Sequence, residues 1–244
     1  MEHNPTIFEQ YFDNQFELVE ANTEELLAIC KKLRYQVFCE ERMRFDPKAH
    51  NNRLEEDNYD KHSLQTLLKD KVSGEYIATA RLVLSREPGN NFSYPLEECI
   101  TRYNHVAIDM IKTLPKFNTA EVSRFAISKH YRQSLKRVSS AANGARNAMG
   151  AANFDCLVTV GLIKSLIKMS AENNVTNWLA FMEPSLLRLL SRLGIHFETH
   201  GPLINHCGKR YACKKAVGDM LKGIKLTKPE AWRLITDNGK ITIH

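Results

Sequence analysis

The chain has 244 residues, enough for one sizeable domain with a proper core, and its 43% hydrophobic and 25% charged residues exclude disorder along most of the length. A net charge of +6 favours an acidic partner but is too mild to imply nucleic acid. The best apolar run, LVTVGLI at 157–163, is far too short to span a membrane, and the polar, acidic N-terminus does not read as a secretory signal. Six cysteines, none in a C-x-x-C pair, read as reduced thiols, so a cytoplasmic location is expected.

In chain order, FELVE (16–20) alternates and predicts a first strand. Asn22 and Thr23 offer helix caps, and Leu26, Ile29, Leu33 and Val37 follow at helical spacing, predicting an amphipathic helix over 23–39. Arg34 and Phe38 share one face of it. Residues 40–60 are charged and rich in Asn, and they predict a long loop too polar to be core. Strands are expected at 63–69 and 76–85, joined by a turn at Gly74. Residues 86–118 read as irregular, with room for one short helix near 97–113.

EVSRFAIS (121–128) predicts a strand, with Glu121, Ser123 and Phe125 on one face and Val122, Arg124 and Ala126 on the other. The basic KHYRQSLKR (129–137) and the small-residue stretch 138–153 follow. Residues 154–172 carry the clearest helix, with an apolar stripe of Val158, Leu162, Leu166 and Met169 and with Gly161 at its middle. NWLAFME (177–183) is a strand, Pro184 opens a helix that Gly194 ends, and two more strands follow in IHFETHG and GKRYACKKAV. The order implies an α/β fold with a central mixed sheet, as one domain over 1–226 and a weakly determined tail over 227–244.

The phosphate-cradling glycine motifs and the G-x-S-x-G nucleophile elbow are missing. His196, His200 and His206 cluster near Cys207, but their spacing matches no metal pattern, so no metal is expected. More informative are charges placed inside apolar segments: Arg34 on the first helix, Glu55, Asp57 and Asp60 in EEDNYD, Arg81 in one strand, and Glu121 and Arg124 in another. Buried arginines need acidic partners. Two readings stay open from spacing alone: ion pairs that hold a loop to the sheet, or groups with chemical work. Likewise Lys129, Arg132, Lys136 and Arg137 read either as a solvated face or as a dock for an acidic protein or phosphate.

Taken together, LRYQVF (33–38), EEDNYD (55–60), ATARLVL (78–84) and EVSRFAIS resemble the LuxI-type acyl-homoserine-lactone synthases of the GNAT superfamily of N-acyltransferases. That pattern is an R-x-x-x-F helix, an E-x-D-x-x-D loop, an arginine strand and an E-x-S-R strand. It matches Arg34 and Phe38, then Glu55, Asp57 and Asp60, then Arg81, then Glu121, Ser123 and Arg124. The chain is similar still more closely to long-chain N-acyl amino acid synthases and to acyltransferases of PEP-CTERM/exosortase systems, through RYQVFCEE, YPLEE, SRFAISKHYR and MEPSLLRLLSRLGIHFETHGP. It departs from LuxI-type enzymes at 42–45, where they carry a tryptophan and this chain reads Arg42, Met43, Arg44 and Phe45.

The resemblance implies a GNAT fold, a central mixed and mostly antiparallel sheet flanked by helices. It implies transfer of an acyl group from a thioester to an amine, with no tightly bound cofactor. The donor is expected to be acyl-phosphopantetheine on acyl carrier protein, or acyl-CoA. The former suits the basic segment, and it suits the absence of a glycine loop for a nucleotide pyrophosphate. Glu121 matches the family's base, with burial expected to raise its pKa, and Arg124 would pair with it or bind an acceptor carboxylate. Backbone N–H groups around Phe125, Ala126 and Ile127 would meet the oxyanion. Arg34, Phe38, Glu55, Asp57, Asp60 and Arg81 would order the acceptor site. The same resemblance admits an acyl-homoserine-lactone synthase, or a non-catalytic acyl-carrier or lipid-binding module.

Overall fold

The computed structural model describes residues 5–50, 52–85, 92–101, 105–131 and 151–243, and of 151–155 the backbone alone. Arg132, Lys136, Arg137 and most of the small-residue stretch lie outside the described residues. The strands are β1 (Phe16–Glu20), β2 (Ser63–Asp70), β3 (Tyr76–Leu84), β4 (Thr119–Ile127), β5 (Asn177–Met182), β6 (Glu198–Asn205) and β7 (Lys209–Ala216). They form a seven-stranded sheet in the order β1-β2-β3-β4-β5-β7-β6. β1 runs antiparallel to β2, β5 to β7 and β7 to β6, while β4 and β5 are parallel, with Glu121 opposite Leu179. A parallel step needs a long crossover, and helix α5 (Ala151–Glu172) lies in that connection. The architecture is therefore the expected α/β sheet, mostly antiparallel and flanked by helices.

The remaining helices are α1 (Ile7–Gln15), α2 (Glu24–Tyr35), α3 (Pro95–Ile100), α4 (His105–Lys112), α6 (Pro184–Arg192), α7 (Val217–Thr227) and α8 (Pro229–Thr236). Several sequence expectations need correction. The first helix is α-helical only to Tyr35, and Gln36–Glu41 then winds as a π-helix, with the Arg42 amide donating to the Val37 carbonyl at 3.0 Å. Two helices, not one, occupy the 97–113 region. The loop over 40–60 does reach the interior, because Glu55 is buried. The segment expected as a weak tail contains α8, whose Ala231, Leu234 and Ile235 are buried at helical spacing.

The chain divides into two compact units, and it passes between them after residue 56 and within β2, β3, β4 and α5. The first unit comprises 1–56, 65–80 and 124–163. Its core gathers Cys30, Leu33, Val37, Phe38, Leu67 and Ala126. Gly161 belongs here: a Cβ at that position would sit 2.7 Å from the Phe12 ring and 3.2 Å from Leu68. The glycine therefore serves tight packing of α5 against Phe12.

The second unit comprises 57–64, 81–123 and 164–244. Its core gathers Val83, Tyr94, Leu96, Ile100, Met110 and Leu179, among others. The buried Trp178 indole donates to Ser170 Oγ at 2.9 Å. Burial pushes the Cys213 thiol up to about 12, so it is an inert core residue rather than a nucleophile. At the end of the sheet, β6 carries Gly201 and Pro202, and its register against β7 shifts between His200 and Ile204.

Candidate functional site

In the first unit, α2 delivers Arg34 to the interior and the following loop delivers Glu55. Arg34 Nε donates to Glu55 Oε2 at 2.5 Å, and Arg34 Nη1 donates to Gln65 Oε1 at 3.2 Å. Arg124, from β4, reaches the same carboxylate with Nε at 3.0 Å from Oε2 and Nη2 at 2.9 Å from Oε1. Its guanidinium also lies over the Phe45 ring, 5.0 Å from the centroid, and Phe45 packs on Phe38 at 5.3 Å. Burial alone would raise the Glu55 carboxyl, but the charges of Arg124 and Arg34 outweigh it and hold the group below its ordinary range. Arg34 and Arg124 thus converge on Glu55, with Phe38 one ring away, whereas the resemblance sets Arg124 beside Glu121 or an acceptor carboxylate.

Arg124 has φ +51, a left-handed value uncommon for a non-glycine residue. The simple alternation expected along EVSRFAIS therefore breaks at this residue, as a strand does where it bends out of regular pleat. Nearby, the Ser128 amide donates to the Ile77 carbonyl at 3.0 Å. Ala126 and Ile127 are buried, and Phe125 is half-buried. The Lys129 amide donates to Glu41 Oε2 at 2.7 Å, and its ammonium donates to the Glu41 carbonyl at 3.0 Å.

In the second unit the signs are reversed. Arg81 is fully buried in β3 and grips Asp57 with two nitrogens, Nη1 at 2.6 Å and Nη2 at 3.0 Å. It also donates to Asp60 Oδ1 at 2.9 Å and, through Nε, to Ser123 Oγ at 3.0 Å. Asp57 caps the short 3-10 turn Asn58–His62, accepting from the Tyr59 amide, while Asp60 accepts from the Asp57 amide. The E-x-D-x-x-D spacing is thus a capping box whose two aspartates both face one arginine.

Glu121 is 3% exposed, and its Oε2 accepts from the Leu96 amide at 2.7 Å, in the first turn of α3. Burial, a hydrogen bond to Glu98 and the nearby Glu121 and Asp57 carboxylates push the Tyr59 phenol up, so it stays protonated. Phe45, Gln65 and Tyr59 join these clusters without a signal in their spacing, whereas the YPLEE stretch (94–98) carries one, a proline at the first helical position followed by acidic residues.

Among the described residues no group of His, Cys, Asp and Glu could hold a metal. Nor is any helix among them long and apolar enough to cross a membrane.

Residues 33–138 match the family described as an acetyltransferase (GNAT) domain, a stretch that contains both clusters of charged residues. No curated protein matches the sequence. Among solved structures, TofI in a ternary complex with an inhibitor and MTA is 19% identical, with TM-score 0.59 over 86% of this chain and 96% of that one. FeeM, an N-acyl amino acid synthase from uncultured soil microbes, is 11% identical, with TM-score 0.59 over 88% and 97%. BjaI, a CoA-dependent acyl-homoserine lactone synthase with SAM and isopentyl-CoA, is 14% identical, with TM-score 0.56 over 91% and 88%. At these identities the likeness establishes the fold alone.

Proposed function

We propose that this chain transfers an acyl group from the thioester of acyl carrier protein to the amine of an amino acid, carried by one GNAT-like domain over 1–226. The observation that carries the reading is Glu121: a buried carboxylate, fixed through one oxygen by a backbone amide, inside a stretch matching an acetyltransferase domain. A free amino acid carries its amine as ammonium near neutral pH, so a proton must leave before attack. Glu121 accepts that proton, directly or through one water. The amine nitrogen bonds to the thioester carbon, the C–S bond breaks, and the leaving thiolate takes up the second proton that the nitrogen sheds. The products are an amide and a free thiol, with no covalent enzyme intermediate.

Arg124 is only partly sealed by Glu55 and Phe45, and in this reading its guanidinium meets the carboxylate of the acceptor. Ser123, held by Arg81, shares the strand that presents both groups. Backbone amides from Phe125 to Ile127 meet the oxyanion. Lys129, Arg132, Lys136 and Arg137 attract the acidic carrier protein. FeeM's description as an N-acyl amino acid synthase supports the acceptor class, and BjaI's isopentyl-CoA makes coenzyme A the rival donor.

The test incubates purified protein with acyl carrier protein thioesters, the matching acyl-CoA thioesters and a panel of amino acids, and reads products by mass spectrometry. An N-acyl amino acid is expected, with the carrier-protein donor preferred. Glu121→Gln should lower kcat by about 100-fold or more, the usual contribution of a positioned base. An acyl-homoserine lactone as product would replace this reading with the autoinducer-synthase one. No amide from any pair would leave a binding module, and an unchanged Glu121→Gln rate would remove Glu121 as the base.

A further inference from the structure

We propose that Tyr94 is a positioning residue for the Glu121 carboxylate, an inference that rests on Glu121 being the proton acceptor. Tyr94 is buried at the start of α3, and its hydroxyl donates to the Thr119 carbonyl at 2.7 Å, with the Lys116 carbonyl at 3.1 Å. Thr119 lies two residues before Glu121 in β4. Tyr94 in turn lies two residues before Leu96, whose amide holds Glu121 Oε2 at 2.7 Å.

The two bonds close a ring: strand to tyrosine, tyrosine along the backbone to Leu96, and Leu96 back to the strand's carboxylate. Within that turn the Tyr94 amide is committed to Glu97 Oε2 at 2.7 Å, and Pro95 has no N–H to offer. Leu96 thus brings the first amide of α3 that reaches outside its own turn, and the tyrosine hydroxyl sets where that amide stands against β4.

The surroundings fit a fixed donor. Lys116 Nζ donates to the Phe92 carbonyl at 2.6 Å, and the Phe92 ring meets the Tyr94 ring edge to face at 5.2 Å. Burial, with the Glu97 and Glu121 carboxylates nearby, pushes the Tyr94 phenol up, so the hydroxyl remains a donor across working pH. Proton transfer from a bound amine depends on where the accepting oxygen lies to well within 1 Å, which gives a hydroxyl that never meets substrate leverage on the rate.

The experiment is a double-mutant cycle on the full chain under the assay above. Tyr94→Phe keeps the ring and deletes the hydroxyl. We expect kcat to fall roughly tenfold with both KM values within about twofold, and the pH profile of kcat to shift. In the Glu121→Gln background the same substitution should cost nothing further, because a residue acting through Glu121 has nothing left to position. Equal proportional losses in both backgrounds would overturn the proposal and make Tyr94 an ordinary core residue, as would a wild-type rate for Tyr94→Phe. Glu97→Ala, which releases the Tyr94 amide without opening the core, provides the same cycle if Tyr94→Phe does not fold. A wild-type rate for Glu121→Gln would fail the base reading itself. Activity that depends on Glu121 but combines independently with Tyr94 would fail this proposal alone.

Discussion

In the first unit one carboxylate, Glu55, is held by two guanidinium groups; in the second one guanidinium, Arg81, is held by two carboxylates. In the first cluster Glu55 and Arg34 are nearly sealed, at 2% and 0% exposed, with Arg124 at 18%, whereas Asp57 in the second remains 25% exposed. Desolvation scales the consequences. A sealed carboxylate between two cations has no solvent to replace it, while a half-wet aspartate has both water and a second aspartate to cover its loss. The first cluster therefore reads as a clamp on the fold. The second reads as a tuned arrangement that holds Ser123 in place.

The strongest way to break this contrast is Glu55→Gln. It leaves two buried arginines facing a neutral amide, and it should cost about 3–5 kcal/mol in urea-denaturation stability. Asp57→Asn keeps an acceptor and leaves Asp60 on Arg81, so it should cost only about 1–2 kcal/mol. Equal losses for the two variants would show that burial does not separate the clusters. The smallest effect is in acid. Glu55 is held below its ordinary value of about 4.3, so the stability it adds is present above that pH and is lost as pH falls through its depressed folded value. Unfolding free energy measured down through that range should slope less in Glu55→Gln than in the wild type. Parallel curves would mean the clamp is not linked to protons.

Each strand among the described residues overlaps a stretch read as a strand from the sequence, with turn formers such as Gly74 and Pro184 between them, although β6 (Glu198–Asn205) starts three residues beyond the start of IHFETHG because Gly201 and Pro202 lie inside the strand and do not end it. Helices that start on polar residues were harder. α1 lies in the polar, acidic N-terminus, where the signal is only that Thr6 and Glu9 form a capping box with reciprocal bonds. α8 hid behind charge in the same way, although Pro229 and Glu230 open it.

Charges inside apolar segments mark these residues in the sequence and the resemblance suggests their roles, but neither gives their partners. Nothing local says that Arg124, 69 residues on, reaches Glu55. Nor does spacing say that Glu121 is met by the amide of Leu96, since backbone donors leave no mark in a sequence. The left-handed residue at Arg124 is equally silent, because arginine is not a residue that advertises such a conformation.

The outer strand β6 has a consequence of its own. A terminal strand displays a row of unsatisfied amides and carbonyls on which another chain can grow. Here Gly201 and Pro202 interrupt that row, and the register slip between His200 and Ile204 bends what remains. The strand is thereby a poor template for edge-to-edge growth, and the molecule is guarded at this margin against assembling into fibres.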